Sequence, residues 1–131
     1  MADGRRASLG AAGEQLAAEH LVRRGYRIVE RNFRTRWGEL DIVAVKDRAL
    51  VFCEVKTRVV RAGPGGARPD ARDPLESVHA RKQAKVRRMA GQWLNERRGR
   101  PRADELRFDA IGIAVDASGR LVRLDHLEGA F

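Results

Sequence analysis

At 131 residues the chain is long enough to bury one core and short for two domains. Its 43% apolar content argues against disorder, and its single cysteine excludes an intrachain disulfide and a cysteine-based zinc site. The formal charge of +9 and a sequence pI near 11.1 suit a polyanionic partner, nucleic acid first, although a generically basic protein would carry the same balance. No apolar stretch precedes Glu14 and none approaches membrane-spanning length, so the chain reads as cytoplasmic with no membrane partner. A homodimeric partner is left open.

In chain order, Leu9, Ala12, Leu16, Ala17 and Leu21 recur at helical spacing, and Gly25 supplies a stop, which predicts a helix over 9–25. Residues 26–34 alternate as a strand with Ile28 inward. The stretch WGELDIVAVKDRALVFCEVK at 37–56 then reads as a hairpin. Residues 59–72 hold Gly, Pro and Arg with no period, which predicts a mobile loop. Asp73 as N-cap, Pro74 at the first helical position and Glu76 three after the cap start a second helix, whose stripe is Leu75, Val78, Val86, Met89 and Trp93. Strands at 106–115 and 121–124, joined by DASG, complete a single α/β domain of order α-β-β-β-α-β-β.

The hairpin carries carboxylates where apolar residues belong. A turn centred between Asp47 and Arg48, of two or four residues, sets Val45 opposite Leu50, Val43 opposite Phe52 and Asp41 opposite Glu54. Lys56 then shares the face of Glu54 and lies opposite Glu39, while Leu40, Ile42, Ala44, Val51, Cys53 and Val55 form an apolar opposite face. A carboxylate pair in this position needs compensation. Either Lys56 closes a structural ion cluster, or a divalent cation such as Mg²⁺ is held by hard oxygen ligands. Both readings stand on the hairpin alone. Glu14, in line with the apolar side of the first helix, favours a cation, although a first-turn Glu can simply complement the helix dipole.

Glu14, GELDI at 38–42, FCEVKTR at 52–58, KQAKVRRMA at 82–90, RFD at 107–109 and the terminal HLEGAF together resemble the YraN-like family of small bacterial proteins, over nearly the whole chain. That family is similar to the PD-(D/E)XK nuclease superfamily, close to the archaeal Holliday-junction resolvases. The motif's proline is absent, since Leu40 stands before Asp41. The resemblance implies a restriction-endonuclease-like mixed central sheet flanked by helices. It also implies a DNA endonuclease, acting on branched or nicked DNA with Mg²⁺ or Mn²⁺. Asp41 and Glu54 would be metal ligands, Lys56 the catalytic lysine and Glu14 an outer acid. A catalytically silent nucleic-acid-binding module of the same fold is the rival; it would show loss of a ligand or of the lysine, and none is lost.

Arg36, Arg58, Arg81, Lys82, Lys85 and Arg88 are the candidate nucleic-acid contacts. Lys82 interrupts the apolar stripe, so it either snorkels from the core edge or carries its amine to the acids or a phosphate. Trp93 reads as core and Trp37 as undecided. Asp109 beside Arg107 reads as a structural ion pair, and the three histidines show no zinc-ligand spacing.

Overall fold

A computed structural model of the chain describes residues 2–61 and 80–131. Its elements are α1 (Ala2–Arg23), β1 (Arg27–Thr35), β2 (Gly38–Lys46), β3 (Ala49–Val59), α2 (Ala80–Glu96), β4 (Glu105–Val115) and β5 (Leu121–Leu127). The five strands form one sheet in the order β1-β2-β3-β4-β5, antiparallel except where β4 runs parallel to β3. This is the expected order of elements. The second helix's predicted start, with Leu75 and Val78, lies outside the described residues, as does the predicted loop beyond Arg61; Val59 belongs to β3.

The sheet is buried on both faces because its strands alternate between two apolar sets. Ala17, Ala18 and Leu21 of α1 pack over Ile42, Ala44, Val51, Cys53, Ile111 and Ile113. Val86, Met89, Ala90 and Trp93 of α2, spaced at i, i+3, i+4 and i+7, pack over Val43, Leu50, Phe52 and Phe108. Trp93 is fully buried, and its Nε1–H donates to Glu30 Oε1 at 3.0 Å. Arg97 binds both oxygens of Glu30 at 2.7 and 2.8 Å, so the carboxylate that satisfies the indole is itself neutralised.

Two local stops fix the geometry. Gly25, at φ 92°, ends α1: its N–H donates to Val22 O and the Tyr26 N–H to Leu21 O, the paired bonds of a left-handed helix cap. The β2–β3 hairpin closes on the two residues Asp47 and Arg48, with Asp47 at φ 54°, and pairs Val45 with Leu50 and Val43 with Phe52.

Gly13 sets how closely α1 approaches the sheet. A methyl group there would overlap the Thr57 side chain, Cβ included. Gly13→Ala gains helix propensity, yet overpacking against β3 costs about 1–3 kcal/mol. A net fall in melting temperature of a few degrees is expected, and a rise would mean that α1 is not held by this contact.

Candidate metal centre and nucleic-acid interface

The expected Asp41–Glu54 pairing is where the strands depart from alternation. The β2–β3 ladder ends at Ile42 opposite Cys53. In place of the next pair, Asp41 Oδ2 accepts the Val55 N–H at 2.8 Å, so a side chain takes a backbone partner's place. The β1–β2 ladder likewise skips the step between Arg31–Ile42 and Phe33–Leu40, where Asn32 adopts φ 56°. The consequence corrects the sequence reading: Leu40 packs with Phe33 and Val43 on the α2 face, not beside Ile42 on the α1 face. A left-handed residue opposite Asp41 breaks the two-residue period of both strands.

The acids therefore reach this break from both faces of the sheet, Glu14 from the α1 side and Glu54 from the α2 side, and Asp41 feels the charge of both. Carboxylate oxygens of Glu14, Glu39 and Asp41 lie within 4.8 Å of one another. The Asn32 amide, oriented to donate, bridges Glu14 at 2.7 Å and Glu39 at 2.6 Å. Gly13 is what admits Glu14 here, because it lets α1 settle against Thr57. Glu54 instead accepts from Lys82 Nζ of α2 at 2.9 Å. The unbroken β3–β4 ladder keeps Phe52, Glu54 and Lys56 on the α2 side of the sheet. Lys56 is exposed and makes no ion pair among the described residues.

Electrostatics report the crowding. Burial, then the charge of Glu54, then those of Glu14 and Glu39 push the Asp41 carboxyl up to about 8, against the lowering effect of the Val55 N–H. Burial and Glu39 also raise Glu14, which the charge of Arg31 and the hydrogen bonds with Asn32 and Asp41 partly offset. The donors are hard carboxylate oxygens, close together and mutually repelling, so the cluster fits a divalent cation, which would remove the repulsion.

A sign follows for pH. With its folded value above its unfolded value, Asp41 contributes stability that is fully present below about pH 4 and is lost as pH rises toward 8. Asp41→Asn copies the protonated form and keeps an acceptor for Val55. Its melting temperature without added metal should exceed that of wild type by several degrees at pH 8, and the gap should close toward pH 5. A gap independent of pH would remove Asp41 as the source.

The candidate nucleic-acid contacts separate into two groups. Arg81, Lys82, Lys85 and Arg88 line one groove with Trp37 and Ala84, and Lys82 joins that groove to Glu54. Arg36 is exposed with its guanidinium 4.5 Å from the centre of the Trp37 ring, and Arg58 is half-buried near the end of β3.

A second polar network lies around Asp109, which is fully buried and accepts from Arg107 Nε at 2.8 Å, His126 Nε2 at 2.7 Å and the Gly129 N–H at 3.0 Å. Burial alone would raise Asp109, but the bonds from His126, Arg107 and Gly129 hold it below the usual carboxylate range. Since a carboxylate only accepts, His126 donates through Nε2, and its Nδ1 shares a hydrogen bond with His20 Nε2, 3.0 Å away. The Asp109–Arg107 ion pair is thus present, and it also anchors β5. The approach of His20 to His126 had no signal in their sequence spacing.

A mixed five-stranded sheet, helices on both faces and acids from α1, β2 and β3 gathered near one break in the ladder define an α/β protein of restriction-endonuclease-like fold. Residues 13–113 match the model of the Uncharacterised protein family UPF0102, and the chain belongs to that family, the YraN family. It is 43% identical to a UPF0102 protein of Frankia casuarinae over 95% of this chain and 96% of the relative. It is 48% identical to one of Corynebacterium efficiens over 92% and 89% of the two chains, and 43% identical to one of Mycobacterium tuberculosis over 95% and 92%. No described helix is long and apolar enough to cross a membrane.

Proposed function

We propose that the protein is a metal-dependent DNA endonuclease of the PD-(D/E)XK type, acting on branched or nicked DNA. The observation that carries this reading is the convergence of Glu14, Glu39 and Asp41 beside Glu54, with Lys56 exposed two residues on. Lys82 and Arg34 pair with two of these acids, Glu54 and Glu39, whereas Lys56 is left outside any ion pair among the described residues.

Asp41 and Glu54, with Glu14 and Glu39 behind Asp41, would hold Mg²⁺ or Mn²⁺. When bound, the cation supplies Lewis-acid polarisation of a phosphate oxygen and of water. Lys56 orients the attacking water and meets the negative charge that grows on the phosphate. The water oxygen bonds to phosphorus as the bond to the leaving sugar oxygen breaks; a water proton passes to solvent, which returns one to the leaving oxygen. Lys82, whose ammonium neutralises Glu54, is placed to exchange that carboxylate for a DNA phosphate. Arg81, Lys85 and Arg88 bind neighbouring phosphates and fix the register of the strand.

Asp41→Asn and Glu54→Gln test the assignment. Each should abolish metal-dependent cleavage while DNA binding stays within a few-fold of wild type. Cleavage retained in both variants would exclude these carboxylates from the chemistry.

A further inference from the structure

Trp37 packs against the edge of the α2-face core and differs from Trp93 in ways that this contact does not explain. Trp93 is fully buried with its indole N–H satisfied by Glu30. Trp37 is only half-buried, and its indole N–H has no partner among the described residues. Its ring lines a groove of about 470 Å³ with Arg81, Lys82, Ala84, Lys85 and Arg88. That volume suits a small planar group flanked by anions. The ring is also held in place: the Trp37 backbone N–H donates to Thr35 Oγ1 at 3.1 Å, and Thr35 Oγ1 donates to Gly38 O at 2.9 Å. The guanidinium of exposed Arg36 lies 4.5 Å from the ring centre. Such a contact at an exposed site is weak enough to yield to a better stacking partner.

We propose that Trp37 stacks on an unpaired nucleobase, which makes DNA with an unpaired nucleotide beside the cut the preferred substrate. An aromatic ring among cations is the arrangement that binds single-stranded nucleic acid, the ring taking a base face and the cations its flanking phosphates. A continuous duplex keeps its base faces inside the stack, so it can use the cations and not the ring. Lys82 belongs to this groove and also contacts Glu54, so a base on Trp37 sets a neighbouring phosphate at the acids. The assignment rests on the nuclease reading above and supplies its substrate class; Trp37 is a specificity-determining residue.

The experiment is a binding titration in EDTA, so no result depends on cleavage. The probes are a continuous duplex, the same duplex with a short single-stranded flap, and that flap rebuilt from abasic sugar-phosphate of equal charge. The chain has two tryptophans, and the buried Trp93 supplies a constant emission against which quenching of Trp37 is read. Wild type should bind the base-bearing flap roughly tenfold more tightly than the abasic flap, with quenching by the former alone. Trp37→Leu should erase that difference and leave duplex affinity unchanged, while Trp37→Phe should keep most of it. Equal binding of the two flaps by wild type, or a preference that survives in Trp37→Leu, overturns the proposal. If Trp37→Leu fails to fold, the wild-type comparison of the flaps and the Phe variant still decide. Duplex binding with a steep salt dependence but no flap preference sinks this inference alone, whereas failure to bind any probe sinks the nucleic-acid reading with it.

Discussion

Mg²⁺ or Mn²⁺ added at pH 8 will raise the melting temperature of the wild-type protein and leave that of Asp41→Asn unmoved. A ligand that binds only the folded state stabilises it by mass action, about 2.7 kcal/mol when present at ~100 times its Kd. For a domain of this size that corresponds to a shift on the order of 10 °C. The effect should be larger at pH 8 than at pH 5, because protons compete for a carboxyl whose value lies near 8. Asp41 is the informative position: it contacts Glu14, feels Glu54 and holds the Val55 N–H, so it belongs to every version of the ligand set. A wild-type melt indifferent to millimolar metal would instead make the acids, Asn32 and Lys82 a structural cluster.

Lys56→Ala will separate chemistry from binding. One charge among 27 basic residues is a small part of the phosphate-neutralising surface, so DNA affinity should change little. Cleavage at saturating DNA should fall about 10²–10³-fold, the usual loss when a group that meets transition-state charge is removed. Replacing Arg81, Lys85 and Arg88 together by alanine should do the reverse. If all three contact phosphates, the slope of log affinity against log salt becomes shallower by roughly 3, and cleavage recovers at saturating DNA. Loss of binding in Lys56→Ala would move that residue from the chemistry to the interface.

Much of this arrangement was legible in the residues because it rests on local periodicity. The strand–turn–strand at 37–56 declares its register through alternation and a two-residue turn, and that register is present from Val43 to Leu50. The stripe Val86, Met89, Trp93 likewise declares the buried face of α2. What was hidden depends on tertiary demands. Asparagine enters the left-handed region more readily than most residues, but nothing in NFR places Asn32 there; in that conformation its amide bridges two of the acids, and the break leaves Leu40 on the other face. Whether Lys82 reaches Glu54 depends on the rotation of α2 over the sheet, which a helical stripe constrains only to within a side chain's reach. Gly13 had a signal, a glycine on the sheet-facing side of a helix, whose meaning needed Thr57 beside it. The length of α1 before Leu9 had none, since no apolar period runs through those residues.

The most direct test of a metal-dependent nuclease is single-turnover cleavage, with protein in excess, of branched, nicked, single-stranded and duplex DNA with Mg²⁺, Mn²⁺ or EDTA. At least one substrate carrying a branch or nick should be cut with either metal, none should be cut in EDTA, and Asp41→Asn should cut none at all. Wild type that binds these DNAs with a steep salt dependence yet cuts none of them with either metal would contradict the enzyme and leave a nucleic-acid-binding module of the same fold.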